Sequence, residues 1–179
     1  IDYGYDYLSY SFGVNYRIGA TSSVFARHSR GARANADRLI FGPAISATGG
    51  ISDEGAVVDF VRQTEIGFKY RTGPLQVYLT GFHSRTEETN FDFGLGFFSN
   101  RYRAYGVEAE TQVRFGIFQI NAAATWTDAE ITEASASPAL VGNRPRRQAD
   151  FVYQISPQIR TDAFTLGASL IGTTDSFAQ

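Results

Sequence analysis

The stretch LSYSFGVNYRI, residues 8–18, alternates without a slip. Leu8, Tyr10, Phe12, Val14, Tyr16 and Ile18 fall on one side of an extended chain; Ser9, Ser11, Gly13, Asn15 and Arg17 fall on the other. Period-2 alternation predicts a strand. It does not say whether the apolar side meets a protein core or hydrocarbon. The rest of the chain decides that.

The same period returns along the sequence. SSVFARHSR sets Val24, Ala26 and His28 against Ser23, Phe25, Arg27 and Ser29. TEIGFKYR sets Thr64, Ile66, Phe68 and Tyr70 against Glu65, Gly67, Lys69 and Arg71. LQVYLTGFHS reads as a strand whose two faces cannot be ranked. YGVEAETQVR sets Tyr105, Val107, Ala109, Thr111 and Val113 against Gly106, Glu108, Glu110, Gln112 and Arg114. FQINAAATWT sets Phe118, Ile120, Ala122, Ala124 and Trp126 against Gln119, Asn121, Ala123, Thr125 and Thr127. FVYQISPQI puts Phe151, Tyr153, Ile155 and Ile159 on one face, and Pro157, lacking an N–H, predicts a weak ladder or a bulge there. FTLGASLIGT sets Phe164, Leu166, Ala168 and Leu170 against Thr165, Gly167, Ser169 and Thr173. No helical period competes. The expectation is an all-β chain of about eight antiparallel strands.

Two regularities favour hydrocarbon over a core. The clearest strands run about 9–11 residues, the length a tilted strand needs to cross a bilayer, whereas strands of soluble proteins average about 5–6. Tight turns near residues 19–21, 72–74, 115–117 and 160–163 alternate with long polar connections. Those connections are expected at Gly31 to about Asp59, at Arg85–Asn100, and over roughly 20 residues carrying GNRPRRQ. Transmembrane barrels alternate short periplasmic turns with long extracellular loops. Tyr16, Tyr70 and Phe118 beside the tight turns, with Tyr105 and Trp126 toward the other end, fit two interfacial aromatic girdles. The expectation is therefore an antiparallel up-and-down β-barrel segment in a bacterial outer membrane. A soluble carbohydrate-binding β-sandwich is the alternative.

Composition narrows the functions. The formal charge of -2 over 179 residues argues against a nucleic-acid binder with a broad basic face. The absence of cysteine excludes disulfides, thiolate metal sites and cysteine nucleophiles. No run of 18 apolar residues predicts a spanning helix. Lys69 is the sole lysine among 16 cations. The chain begins Ile1-Asp2, which reads as a mature product or an excised piece. The turn phase puts both ends on the long-loop side. That is the wrong phase for a self-contained small barrel, so residues 1–179 are expected to be an internal slice of a larger one.

ARHSRGARANADRL (26–39), QTEIGFKYRTGPLQVYLTGFHS (63–84), YGVEAETQVRFGIFQINAAATWTDAEI (105–131), GNRPRRQ (142–148) and GTTDSFAQ (172–179) carry, in order, a resemblance covering nearly the whole chain. Together they resemble the C-terminal part of the barrel of TonB-dependent outer-membrane receptors. The resemblance implies a 22-stranded barrel with a plugged lumen. It also implies uptake of a scarce nutrient, a ferric siderophore being the commonest, with carbohydrates, cobalamin and other compounds also used. Its partners would be outer-membrane lipid, the nutrient, and TonB through an N-terminal part this segment lacks. The plug and the final strands with their terminal aromatic are likewise missing from it. A small outer-membrane barrel with a structural or adhesion role is the second reading.

Catalytic chemistry finds little footing, and no enzyme, metal or cofactor is expected. His28 and His83 are far apart in sequence. Glu108 and Glu110 share a face at i, i+2, a spacing that would suit paired carboxylates; a luminal charge network with nearby arginines is the preferred reading. Arg17, Arg27, Glu65 and Lys69 are expected to line the lumen with them. For binding, Arg30, Arg33 and Arg38 enter the first connection beside Arg27, and Arg144, Arg146 and Arg147 sit in the third. Arginine's planar fork matches carboxylates and phosphates. These clusters are candidates for an anionic ligand, for outer-leaflet phosphates, or for no partner at all. Phe91, Phe93, Phe97 and Phe98 in the second connection either pack it onto itself or form an apolar ligand wall.

Overall fold

Residues directly opposed in an antiparallel pair project from the same side of the sheet, so the register fixes both faces of this protein. A computed structural model describes residues 6–35, 48, 57–92 and 94–176. Among the described residues there are nine strands: β1 (Tyr10–Arg17), β2 (Ser22–Ala34), β3 (Val58–Arg71), β4 (Leu75–Asp92), β5 (Gly96–Phe115), β6 (Phe118–Ala134), β7 (Phe151–Arg160), β8 (Thr165–Gly167) and β9 (Leu170–Thr173). All belong to one antiparallel sheet, each strand paired with the next as far as β8, with β9 also on β7. The sheet is open: β1 is not joined to β8 or β9.

The opening stretch runs with its apolar residues aligned to those of its neighbours. Val14 opposes Ala26, which opposes Ile66, and the row continues through Gly81, Val107, Trp126 and Phe151. Gly13, Arg27, Glu65, Phe82, Gly106 and Thr127 form a row on the opposite face. The strand whose faces the sequence left unranked is thereby resolved. Leu75, Val77 and Leu79 join the apolar side, while Gln76, Tyr78 and Thr80 join the polar one.

Among the described residues there is no second sheet to cover the apolar face. Phe12, Val14, Tyr16 and Ile66 are 66–68 % exposed. The few buried apolar residues, Val57, Val58, Ala129, Ile131 and Ala134, lie at the far ends of the long strands rather than in a central core. A β-sandwich would bury the even-numbered residues of 8–18 between sheets; that alternative is overturned. The segment is an up-and-down barrel wall.

The upper connections differ from expectation. β2 continues through Ala34 and β3 begins at Val58, so residues 31–34 and 58–59 are strand. The expected loop at Arg85–Asn100 is mostly strand, over residues 85–92 and 96–100. β4 has 18 residues and runs to Asp92, and β5 has 20 and starts at Gly96. Between the two strands Asp92 Oδ1 accepts the amides of Gly94 and Leu95 at 2.8 and 3.2 Å, and Gly96 takes a φ of 75°. Polar composition suggested a loop, but Thr86, Thr89, Phe91, Phe97 and Tyr102 are good strand formers once paired on both sides. The third connection, 135–150, holds one 3-10 turn at Pro138–Leu140. Its chain returns along β6: Ile131 N–H donates to the Asn143 carbonyl and Thr127 N–H to that of Asp150, both at 2.8 Å.

Pro157 acts as its chemistry demands. It opposes Ile120 on the β6 side without a break in register. On its other side its carbonyl accepts the Ala168 amide at 3.1 Å, and no N–H is available to return the bond. The last strand splits there into β8 and β9. The register runs straight through the split, from Ile159–Leu166 to Ile155–Leu170. These two pieces are one strand position, so the sheet holds the eight positions expected.

The tight turns are staggered. One row links Tyr16, Phe68, Ala109 and Tyr153 through the strands between them. From that row, β1 runs one residue further to Arg17, β3 three to Arg71, β5 six to Phe115 and β7 seven to Arg160. Six strand steps shift the turn by six residues.

Rings lying over glycines knit the wall. Phe25 opposes Gly67, Phe82 opposes Gly106, and Tyr153 opposes Gly172. A methyl group on Gly67 would meet Phe25 Cε1 at 2.3 Å and the Leu79 carbonyl at 2.6 Å. One on Gly172 would meet Tyr153 ring atoms at 2.4 Å, with no backbone atom among its three nearest contacts. In the full-length barrel carrying this segment, Gly172→Ala should cost about 1–3 kcal/mol, read from its urea midpoint. Adding Tyr153→Ala should recover much of the loss from the added methyl. Phe25→Ala should not do the same for Gly67→Ala, because the Leu79 carbonyl still stands in the way; equal rescue at both sites would refute this account.

Candidate functional site

The polar face carries two side-chain networks, one part-way up β1–β3 and one near the tight turns of β4–β6. In the first, Arg27 Nε donates to Ser11 Oγ at 3.0 Å and its guanidinium lies 4.0 Å from Glu65. Glu65 accepts from Gln63 at 2.8 Å, and Lys69 Nζ sits 4.6 Å from the centre of the Phe25 ring. In the second, Gln112 bonds both Gln76 and Asn121, Gln119 bonds Asn121, and Arg114 Nε donates to Gln119 Oε1 at 3.0 Å. Beside it a groove of about 270 Å³ is lined by Gln76, Tyr78, Glu110, Asn121 and Gln154. Amides and hydroxyls both donate and accept, so this surface can bind a polar partner of either sign.

All six residues expected in the lumen lie on this polar face. Arg17, Lys69 and Glu110 share one row across the sheet, and Glu108 is two residues further up β5 on the same side. The expected charge network forms only in part. Arg27 reaches Glu65, but Glu108 and Glu110 make no ion pair among the described residues. The arginines nearest in sequence are committed elsewhere: Arg114 to Gln119, and Arg103 to Glu130 on the opposite face. Both glutamates are exposed.

Higher on the polar face, Asp59 organises the top of the β2–β3 pair. It is buried, at 6 % exposure, and accepts from Arg33 Nη2 at 2.8 Å, Asn35 Nδ2 at 3.0 Å and the Thr89 amide at 3.0 Å. Arg33, a candidate ligand residue, is thus held by a carboxylate. Arg30 points to the apolar side, where it opposes Tyr10 and lies 4.1 Å from the Phe60 ring centre. Arg38 and Phe93 fall outside the described residues. Phe91 and Phe97 oppose each other with ring centres 5.1 Å apart, while Phe98 opposes Asn90 on the other face. In the third connection Arg144 pairs with Asp150 and is half-buried, whereas Arg146 and Arg147 are exposed. Arg147 adopts a φ of 60°.

His28 and His83, distant in sequence, share a row on the apolar side with Thr64 between them, and His28 Nδ1 is 2.9 Å from Thr64 Oγ1. Two strand spacings, roughly 10 Å, are too far for one metal ion. The Asp59 node was invisible in the sequence because Asp59 stood in an apparent loop. Its signal was the alternation Val58, Phe60, Arg62, which continues the strand upward.

The architecture has known counterparts. The family model for the β-barrel of TonB-dependent receptor-like proteins matches residues 1–178. The chain belongs to the TonB-dependent receptor β-barrel family. Family members are receptors and transporters rather than enzymes, and their barrels are proteins of the bacterial outer membrane. Solved receptors share the fold. The ferric yersiniabactin uptake receptor FyuA from Yersinia pestis superposes with a TM-score of 0.65 at 17 % identity, over 90 % of this chain and 24 % of that one. The copper transporter OprC gives 0.68 at 12 % identity, over 96 % and 26 %. The FrpB iron transporter from Neisseria meningitidis gives 0.59 at 17 %, over 88 % and 25 %. The receptor segment described here therefore spans about a quarter of the length of the receptors it matches. No curated protein matches it in sequence.

Asp59→Ala would remove the carboxylate that Arg33, the Asn35 amide and the Thr89 N–H share. Such losses cost about 1–3 kcal/mol. In the full-length receptor, exchange of the Thr89 amide should therefore quicken about tenfold or more, while amides near Gly116 stay unchanged. Equal protection at Thr89 in both proteins would show that Asp59 is not the fastening.

Proposed function

We propose that this segment forms part of the wall of an outer-membrane receptor that imports a scarce nutrient, such as a ferric siderophore, with energy delivered through TonB. The observation that carries the reading is the division of the sheet. One face is an exposed apolar wall, and the other is a hydrogen-bonded polar surface that continues upward into strands of 14–20 residues. A strand needs only about 9–11 residues to cross a bilayer, so the remainder projects outward, where a receptor meets its ligand first. The open sheet supports a slice of a larger barrel over a self-contained structural or adhesion barrel, which would need β1 to close onto the last strand.

Within this reading the ligand is an anionic or metal-chelating small molecule captured from outside. Arg146 and Arg147 are its first contacts in the third connection, since Arg144 is already engaged by Asp150. Phe98 lies on the polar face and serves as an apolar contact, whereas Phe91 and Phe97 brace the hairpin through each other. Glu108 and Glu110 offer exposed carboxylates to whatever occupies the lumen.

Expression of the full-length receptor in a strain lacking its own iron receptors, fed with ⁵⁵Fe-labelled catecholate, hydroxamate and phenolate chelates, tests this. Uptake of one chelate class, abolished when TonB is absent, is expected. Arg146→Ala with Arg147→Ala should weaken binding of that chelate about tenfold, the scale of one charge-assisted hydrogen bond. Unchanged affinity would remove the third connection from the site, and failure of every chelate to support uptake would exclude iron as the cargo.

A further inference from the structure

Four arginines stand shoulder to shoulder on the apolar side. Arg30 of β2 opposes Arg62 of β3, Arg62 opposes Arg85 of β4, and Arg85 opposes Arg103 of β5. Like charges directly opposed across strands are destabilising, and here three such pairs follow one another. Glu130 continues the row beyond Arg103, at 3.0 Å from it, and Glu87 lies 3.4 Å from Arg62. Arg101, two residues above Arg103, pairs with Glu133. Arg30 and Arg85 have no carboxylate partner among the described residues. Five arginines against three glutamates, with Asp128 holding Tyr105 just below the row, leave the patch with a net positive charge.

Its height is set by the turns. Arg30 lies eight residues from the start of β2 at Ser22, and Arg62 nine from the end of β3 at Arg71. Arg85 lies ten from Leu75, and Arg103 twelve from Phe115. A strand that crosses hydrocarbon in about 9–11 residues emerges at this level. Tyr105 and Trp126, edge-on at 6.0 Å, lie just below the row on the same side, as interfacial aromatics do. Between the strands the arginines open onto a groove of about 340 Å³ whose lining includes Arg62, Arg85, Arg101 and Arg103 together with the carboxylate of Glu87. Arg103 Nε is shielded from solvent there and has no hydrogen-bond partner.

The geometry points to a binding site for the phosphorylated headgroup of an outer-leaflet glycolipid on the outside of the wall, with Arg85 as the phosphate ligand that no carboxylate engages and Arg62 and Arg103 beside it, each binding through nitrogens other than those on Glu87 and Glu130. Arginine's fork takes phosphate oxygens in pairs, and two or more phosphates on one headgroup would neutralise charges that otherwise repel. The acyl chains of the same molecule would lie against Val107, Ile66 and Val14, below the groove on the same face. The site is separate from the luminal ligand path, because the sheet itself stands between them. It rests on the outer-membrane placement proposed above.

The test uses the full-length receptor in detergent, first confirmed to fractionate with the outer membrane. Native mass spectrometry follows its titration with diphosphorylated lipid A, with the dephosphorylated form, and with inorganic phosphate. Preferential binding of the diphosphorylated lipid is expected. Each arginine removed at a charged lipid surface should weaken it about fivefold, so Arg85→Gln gives that loss and the triple variant Arg62→Gln, Arg85→Gln, Arg103→Gln about a hundredfold. The triple lysine variant should retain most of the affinity. Heat-modifiable migration on a gel verifies that each variant is folded, and the comparison of phosphorylated with dephosphorylated lipid needs no variant. Equal binding of the two lipids, a triple variant that binds as wild type, or phosphate alone binding as well as the lipid would each overturn the site. Absence of the receptor from the outer membrane would instead overturn the placement.

Discussion

Register is the constraint on which everything else in this wall depends. A slip of one residue between neighbouring strands would turn every side chain to the other face. Arg27 and Glu65 would then enter hydrocarbon, and Ile66 and Val107 would enter water. The sheet resists this with devices on both sides: continuous apolar rows on one, hydrogen-bonded amide chains on the other, and rings seated over glycines that only one alignment accommodates. In a soluble protein a packed core would share this task. Here the described residues form no central core, so cross-strand neighbours carry most of it.

Both faces were legible early because alternation is a local property. Residues 8–18, 64–71 and 105–114 gave their sides away from spacing alone, and the single sheet confirms them. Pro157 was legible for the same reason, since its missing donor is a property of one residue. What failed was the extent of the long strands. TEETN and FSNRY are polar enough to read as loop, yet they stay paired for the full length of β4 and β5. Propensity loses there to a partner already fixed in place a few residues below.

The candidate site was legible residue by residue and illegible as an arrangement. Arg30 and Arg33 looked like neighbours in one cluster, but three residues of strand put them on opposite faces, one beside Phe60 and the other on Asp59. Arg85 and Arg103, separated by 18 positions, turned out to be directly opposed. Spacing along a strand is written in the sequence; alignment between strands depends on turns and pairings that single-strand patterns do not encode. A clue did exist. Arg30, Arg62 and Arg103 keep the parity of the apolar residues in their strands, which a residue meant for the lumen would not, whereas Arg85 lies in the strand whose faces only the register resolves.

The stagger of the tight turns sets the slope of the wall. One residue of shift per strand, about 3.3 Å of rise against a spacing of about 4.8 Å, inclines the strands by roughly 35° to the barrel axis, within the range of membrane barrels. A line drawn straight across the sheet is then oblique to the membrane plane. Over the three spacings between Arg30 and Arg103, about 14 Å, such a line climbs roughly 8 Å. The guanidinium row is therefore a ramp rather than a shelf. It begins lower on β2 and ends higher on β5, so in the proposed lipid site one molecule touching its whole length would have to stand tilted against the wall.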